Sequence, residues 1–162
     1  MNLDDLPITW QGEVLAEHID RNGHMNITWY TALFGMGTMQ ALSNVGLVFQ
    51  RKTDASDNSE RRGIFALEQH LRYLSEVLLG EKLTIHTRYL ARSEKRIHFI
   101  HFLRIRGNDK LAATGEVVMA YMDLNIRRMT EFPESVKQEI DRLMSLHSEL
   151  QWPAPVCGSM RA

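Results

Sequence analysis

The sequence predicts an α+β domain in which a curved antiparallel sheet of about five strands surrounds one long buried helix. Two observations carry this prediction. Residues 27–47 (ITWYTALFGMGTMQALSNVGL) are apolar on nearly every side, and a helix of that kind belongs in a protein interior. After residue 63, segments with the periodicity of strands follow one another, with turn signals between them. We expect residues 1–150 to form this single domain and residues 151–162 to be a frayed tail.

Each strand is predicted from its own pattern. Residues 82–91 alternate apolar and polar side chains, as a strand with one buried face does. Residues 96–106 are apolar on both faces, which indicates a central strand. The predicted strands are residues 10–19, 64–73, 82–91, 96–106 and 111–124.

Helix ends and connecting segments are also marked. Gly46 suits the end of the buried helix, because glycine readily adopts the left-handed conformation of a C-terminal cap. Residues 51–63 carry no apolar residue except Ala55, so we expect an exposed loop. Pro133 suits the first turn of a second, amphipathic helix over residues 133–150 that lies on an outer surface. The apolar stripe of this helix consists of Val136, Ile140, Leu143, Met144, His147 and Leu150.

Composition excludes several classes of partner. The formal net charge is −1 and no basic stripe is present, so we expect no nucleic acid partner. No apolar run approaches the roughly 20 residues of a membrane helix, so we expect no membrane partner. The single Cys157 excludes an internal disulfide, and residues 1–11 lack the pattern of a signal peptide. We therefore expect a cytoplasmic protein.

The stretch AEHIDRNGHMNITWY, residues 16–30, is polar and leads directly into the buried helix. From the residues alone, two interpretations of Asp20 stay open. It is a turn or helix-entry carboxylate, or it is a general base or nucleophile at the mouth of the helix. Gly23 permits a tight turn and the close approach of a ligand to the backbone. His24 and Asn26 either bond the local backbone or orient Asp20 and a substrate.

This stretch resembles the signature of the hot-dog fold acyl-CoA thioesterases of the 4-hydroxybenzoyl-CoA thioesterase type. An Asp lies three residues before a Gly and a Tyr follows that Gly by seven, here Asp20, Gly23 and Tyr30. The frequent Gly-His-x-Asn variant is present as well, with His24 and Asn26. The resemblance covers about residues 10–132. Residues 67–90 and 95–104 look closest to the branch that contains betainyl-CoA thioesterase-like proteins.

The resemblance implies hydrolysis of a small or medium acyl-CoA to a free acid and CoA, with Asp20 as general base or nucleophile. It implies no cofactor, because coenzyme A is part of the substrate. It also implies a homodimer or a dimer of dimers (a homotetramer), with the active site at the dimer interface. Two alternatives stay open. One is an acyl-thioester hydratase or dehydratase, although Asp20 and His24 are closer in sequence than the Asp and His of that family. The other is a non-catalytic acyl-CoA-binding protein.

The start of the helix decides whether an oxyanion hole is available. The resemblance implies that the backbone amide of Tyr30 holds the oxyanion. If Asn26 caps the helix, that amide is already used within the first turn. If Thr28 is the cap, the Tyr30 amide is free. The catalytic role of the Tyr30 amide therefore requires the later start.

The remaining candidates are assigned from position. Trp29 and Phe34 are expected to contact the acyl group, and Trp29 or Tyr30 would offer a face to a cationic one. Glu68 and His70 share a strand face and are either a solvated or cross-strand polar pair or part of the site. The resemblance makes Glu68 a second-choice catalytic carboxylate, because some hot-dog thioesterases use a Glu from outside the strand-to-helix junction, and a partner's strand could supply it at the dimer interface. Arg92 and Arg96 are candidate ligands of the CoA phosphates. No His pair has the helical spacing of a zinc site, so we expect no metal.

Overall fold

The computed structural model describes residues 1–48 and 61–162 and confirms the α+β fold. The strands and helices are β1 (Ile8–Glu13), α1 (Ile27–Asn44), β2 (Arg62–Tyr73), β3 (Lys82–Arg92), β4 (Arg96–Ile105), β5 (Lys110–Asp123), β6 (Arg128–Met129) and α2 (Glu134–Ser148). The strands form one antiparallel sheet in the order β1-β3-β4-β5-β2, and β6 pairs with β5. The predicted exposed loop lies largely in residues 49–60, outside the described residues.

Helix α1 packs its buried side chains against the concave face of the sheet. Leu33, Phe34 and Leu42 are almost completely buried there. The C-terminal end of α1 has the predicted glycine cap. Gly46 has a φ of +84°, its amide bonds the Ser43 carbonyl at 2.9 Å, and the Leu47 amide bonds the Leu42 carbonyl at 2.9 Å. This pair of hydrogen bonds is a Schellman motif, which satisfies carbonyls that the helix end leaves open.

One face of α1 is uncovered, which corrects the expectation of a helix enclosed on all sides. Ile27, Met36 and Met39 are 63%, 48% and 49% exposed. Met36 and Met39 are three residues apart and so lie on one side of the helix, whereas Ile27 is exposed as its first residue. The sheet of a single chain curves around only the opposite side. The sequence shows that these residues are apolar, but it does not show whether the same chain or another one covers them.

Strands β3, β4 and β5 are buried on both faces along most of their length. This confirms the prediction for β4 and corrects the one for β3, whose polar face is also covered. The residues after α2 provide part of that cover. Arg88 of β3 donates to the Trp152 carbonyl at 2.7 Å, and its guanidinium lies 4.6 Å from the centre of the Trp152 ring. Met160 is only 4% exposed. The tail is therefore packed on the sheet, and the expectation of a frayed tail is wrong.

Smaller differences occur at chain turns. Strand β1 ends at Glu13 instead of residue 19, because a short 3-10 turn, Ala16–His18, follows it. The ring Nδ1 of His18 accepts a hydrogen bond from the Leu15 amide at 3.1 Å and holds this turn. Helix α2 packs its predicted apolar stripe on the core through Val136 and Ile140. Within the described residues, neither helix is long and apolar enough to cross a membrane.

Candidate active site

The polar stretch before α1 folds into a closed turn. The Asp20 amide bonds the His24 carbonyl at 3.0 Å, and the Gly23 amide bonds the Asp20 carbonyl at 3.1 Å. Ile19 and Met25 pair across the base of the turn. Gly23 has a φ of +83°, a conformation that glycine adopts without a steric penalty. The expectation that Gly23 permits a tight turn is confirmed.

The carboxylate of Asp20 is fixed at one oxygen. Oδ1 accepts a hydrogen bond from the Asn22 amide at 2.8 Å, and His24 Nδ1 lies 3.8 Å from the same oxygen. Within the described residues Oδ2 has no hydrogen-bond partner. The side chain of Asp20 is 21% exposed and that of His24 is 35% exposed. The turn thus holds a carboxylate with one free oxygen at the surface, beside an imidazole.

Helix α1 begins at the earlier of the two predicted starts. Asn26 is the N-cap, and its Oδ1 accepts hydrogen bonds from the Thr28 amide at 2.9 Å and the Thr28 hydroxyl at 2.8 Å. The Asn26 carbonyl accepts the Trp29 amide at 3.0 Å. Tyr30 is the fourth residue of the helix, a position where the amide is directed at the cap carbonyl. The later start, which a free Tyr30 amide required, does not occur.

The first helical residue, Ile27, supplies a different open amide. Its N–H has no hydrogen-bond acceptor in the part of the chain that the structure describes, as expected for the first position of a helix. The N-terminal end of the helix dipole adds a partial positive charge at this position. An N–H group of this kind is suited to bind an anion. Sequence reasoning did not select it, although Asn26 as cap would have pointed to it.

A cavity of about 300 Å³ opens at this end of α1. Its walls come from the turn, the helix start and the segment after β2. The lining residues are His24, Met25, Ile27, Tyr30, Tyr73, Leu74, Ser75 and Glu76. The Met25 amide bonds the Val77 carbonyl at 2.8 Å and so joins the two walls. The second wall, residues 73–76, carries no signal in the sequence that would have marked it.

Tyr30 contributes to the cavity through its ring. The ring of Tyr30 meets that of Tyr73 edge to face at 5.0 Å, and the Tyr30 hydroxyl donates to the Ser75 carbonyl at 3.4 Å. Burial raises the pKa of Tyr30 to about 12, with smaller contributions from Tyr73, Glu81 and Glu76. The phenol is therefore neutral at physiological pH. It forms an aromatic wall with acidic side chains nearby.

A family model described as the thioesterase-like superfamily matches residues 14–140. The chain belongs to this thioesterase family. The betainyl-CoA thioesterase of Pseudomonas aeruginosa is 31% identical over 148 residues, which cover 91% of this chain and 90% of that protein. An L-carnitine dehydrogenase/betainyl-CoA thioesterase of Agrobacterium fabrum is 30% identical over 125 residues, which cover 77% of this chain and 24% of that protein. The family and these relatives identify the chain as a thioester hydrolase, as the sequence predicted.

Solved structures confirm the hot-dog fold. A Staphylococcus aureus protein solved in complex with CoA gives a TM-score of 0.78 at 28% identity, over 91% of this chain and 90% of that chain. A structure from Pseudomonas putida KT2440 gives a TM-score of 0.78 at 25% identity, over 97% of both chains. The fold that the resemblance implied is therefore that of this thioesterase.

Several predicted residues of the thioesterase lie away from the cavity. The indole of Trp29 packs 4.0 Å from the His18 ring, and its Nε1 donates to the Glu17 carbonyl at 3.2 Å. Phe34 is 1% exposed and packs inside the core, with its ring parallel to that of His101 at 5.7 Å. Neither side chain lines the cavity. Their predicted contact with the acyl group is not supported by their positions.

Glu68 and His70 lie on β2 and share one face, as predicted. His70 Nδ1 is 3.9 Å from Glu116 Oε2, on the side of the sheet away from α1. Glu68 pairs in register with Val118 on that same side. The structure therefore brings neither residue to Asp20 or to the cavity. The reason is the alternation of strand side chains, which directs both residues to the other face.

The two arginines predicted to bind phosphate differ in availability. The guanidinium of Arg92 is held by Asp141 through two hydrogen bonds of 2.6 Å, which tie β3 to α2. This pairing occupies the guanidinium N–H groups with which Arg92 would bind a phosphate. The guanidinium of Arg96 has no hydrogen-bond or ion-pair partner among residues 1–48 and 61–162. Its predicted role at the CoA phosphates stays a prediction.

Proposed function

We propose that the thioesterase hydrolyses an acyl-CoA to a free acid and CoA at the cavity beside the Asp20 turn. The observation that carries this proposal is the juxtaposition of three features. A carboxylate with a free oxygen, an imidazole that lines the cavity and an open helix amide all lie within residues 20–27. The CoA complex of the Staphylococcus aureus structure supports a CoA thioester as substrate.

Asp20 supplies the attacking group or activates it. As a general base it accepts a proton on Oδ2 from a water molecule that attacks the thioester carbonyl. As a nucleophile it attacks the carbonyl itself and forms an anhydride that water then hydrolyses. In both cases the tetrahedral intermediate collapses and breaks the C–S bond, and CoA leaves as a thiolate; the proton that makes it a thiol comes from Asp20 in the first case and from solvent in the second. His24, 3.8 Å from Oδ1, orients the carboxylate, and Asn26 fixes the helix start by capping it.

The oxyanion of the tetrahedral intermediate is bound by the Ile27 amide. Charge develops on the carbonyl oxygen as the intermediate forms, and a fixed N–H donor stabilises it without reorganisation. Ile27 lines the cavity and its amide is the first in α1. The role that the resemblance assigned to the Tyr30 amide is thus moved to the residue whose amide is open.

The test is replacement of Asp20 by Asn. We expect the Asp20→Asn variant to keep its circular dichroism spectrum and lose thiol release from acyl-CoA by at least about 100-fold, because a general base contributes roughly that factor or more. Asp5→Asn is a matched control at an exposed aspartate, and we expect it to keep the wild-type rate. Wild-type activity in a folded Asp20→Asn variant would contradict the assignment. Loss of enoyl absorbance from crotonyl-CoA without thiol release would instead indicate hydration.

The cavity walls favour a small cationic acyl group. Tyr30 and Tyr73 present aromatic rings, and Glu76 adds a carboxylate at the same cavity. Aromatic faces and a carboxylate together attract a quaternary ammonium group. The names of two relatives, which act on betainyl-CoA, support this choice. A matched pair of substrates tests it: betainyl-CoA and 3,3-dimethylbutyryl-CoA differ in charge and have nearly the same shape. We expect kcat/KM to favour the cationic substrate and Glu76→Gln to reduce that preference.

The uncovered apolar surface supports a homodimer. Strand β2 is a 12-residue edge strand, and Phe65, Leu67 and Tyr73 on it are 44%, 47% and 48% exposed. A long apolar edge strand invites pairing with another chain. The exposed face of α1 is a second apolar surface that a partner chain would cover. The dimer of dimers stays a prediction.

A further inference from the structure

A polar cluster lies on the face of the sheet away from α1. It combines side chains from three separate parts of the chain: His70 of β2, Glu116 of β5 and Cys157 of the C-terminal tail. One ligand atom from each residue lies within 4.8 Å of the other two. His70 Nδ1 and Glu116 Oε2 are 3.9 Å apart. An imidazole, a carboxylate and a thiol thus converge on one point.

Glu116 is held in place by its neighbours. It is 1% exposed, its Oε1 bonds His98 Nε2 at 2.8 Å, and its Oε2 accepts the Cys157 amide at 2.7 Å. These two hydrogen bonds hold both oxygens of the Glu116 side chain in fixed positions. Carboxylate ligands of metals are commonly fixed by hydrogen bonds of this kind.

The other two donors are accessible and adjustable. The His70 side chain is 43% exposed, and Cys157 is exposed. A tetrahedral zinc ion with bonds of about 2.0–2.3 Å needs ligand atoms about 3.3–3.8 Å apart. The three ligand atoms lie within 4.8 Å of one another, so the exposed His70 and Cys157 side chains would have to move inward to reach that geometry. Nitrogen, oxygen and thiolate sulfur together are a donor set that zinc accepts.

We propose that His70, Glu116 and Cys157 bind a divalent zinc-class ion, with water at the fourth position. The ion would tie the C-terminal tail to the edge strand β2 across the outer face of the sheet. This site shares no residue with the Asp20 cavity. Its existence does not depend on the proposed function. It departs from the sequence expectation of no metal, which considered only residues close in sequence.

The test uses cobalt(II) as a spectroscopic probe on protein without a polyhistidine tag. Because Cys157 is the only cysteine, a thiolate-to-cobalt charge-transfer band can come only from this residue. We expect such a band at one equivalent of Co²⁺, displaced by Zn²⁺. We expect Cys157→Ser to abolish the band and His70→Ala to weaken Zn²⁺ binding in calorimetry by at least about tenfold.

Ser159→Ala is the matched control. Its hydroxyl lies 3.2 Å from the Cys157 sulfur, but it is not one of the three proposed ligands. We expect this variant to bind both metals as the wild type does. The proposal is overturned if the wild type shows no charge-transfer band. It is equally overturned if Zn²⁺ affinity is unchanged in both Cys157→Ser and His70→Ala.

Discussion

At the scale of single residues, the proposed chemistry depends on where α1 begins. Asn26 and Thr28 are both good N-cap residues and lie two positions apart, so the sequence alone did not choose between them. In the structure the Thr28 hydroxyl itself donates to Asn26, which settles the choice. The turn around Asp20 was predictable because its Asp, Asn and Gly act locally. The open Ile27 amide was missed because it follows from the cap and not from the residue type.

Replacing Ile27 by Pro removes this one N–H. Proline is favoured at the first helical position, and the residue before it must be extended. Asn26 meets that requirement with φ −63° and ψ 143°. We expect Ile27→Pro to remain folded and to lower kcat by about 100- to 1,000-fold, the effect of removing one oxyanion donor. Steady-state kinetics measures this.

Ile27→Ala separates the amide from the side chain. This control shortens the side chain and keeps the backbone donor, so we expect kcat close to that of the wild type. Equal losses of kcat in the proline and alanine variants would show that the side chain, and not the amide, matters at this position.

At the scale of elements, the sequence predicted strands β2 to β5 closely and missed what covers them. Local periodicity reveals a strand, but the burial of the polar face of β3 arises from a tail more than 50 residues away in the chain, for example between Arg88 and Trp152. Strand β6 has only two residues, too few for any periodicity to be visible. The fold class was therefore predictable, whereas the layers above the sheet were not.

The contact between α1 and β5 is a test of this packing. A Cβ atom on Gly115 would lie 2.9 Å from the Phe34 ring, which is fully buried. We expect Gly115→Ala to lower the free energy of unfolding by about 1–3 kcal/mol, the usual cost of overpacking a core. Urea denaturation measures the change. Gly107→Ala is the control, because a Cβ there meets no atom within 4 Å, and we expect a change below about 0.5 kcal/mol. A neutral Gly115→Ala variant would contradict the close contact.

At the scale of the whole molecule, buried histidines make the protein sensitive to acid. Burial lowers the pKa of His101 to about 3; burial and the nearby Arg88 lower that of His147 to about 4. In the unfolded chain both rings titrate near their ordinary pKa of about 6.5. Between pH 6.5 and about 4 the unfolded state therefore binds more protons than the folded state. As the pH decreases through this window, we expect the free energy of unfolding to fall by up to about 1.4 kcal/mol per pH unit for each histidine.

Denaturant titrations at several pH values between 7 and 5 measure this slope. His101 is enclosed by hydrogen bonds to Thr87 at 2.7 Å and Thr38 at 3.0 Å, so His101→Gln will cost stability at every pH. The informative quantity is the pH slope, which we expect to be shallower in His101→Gln. A variant slope as steep as that of the wild type would show that other groups cause the acid sensitivity.

The proposed dimer is also a property of the whole molecule. We expect the wild type to have the mass of a dimer in light scattering, and Phe65→Glu or Leu67→Glu to shift it toward the monomer, because a charge would then lie on the edge strand β2. Ile126→Glu is a control at another apolar residue, 66% exposed, in the turn after β5. We expect it to leave the mass unchanged. An unchanged mass in both β2 variants would place the interface elsewhere.

The hydrogen bond between the Met25 amide and the Val77 carbonyl joins two backbone segments to which we assign different roles. One piece, residues 20–27, holds the proposed reactive groups; the other, residues 73–77, ends at Val77 and contributes residues 73–76 to the opposite wall of the cavity. Substrate preference can therefore diverge among descendants, or be redesigned, by changing four residues of the wall while the reactive turn is left intact. A library confined to residues 73–76 is the natural starting point for directing this thioesterase to new acyl groups.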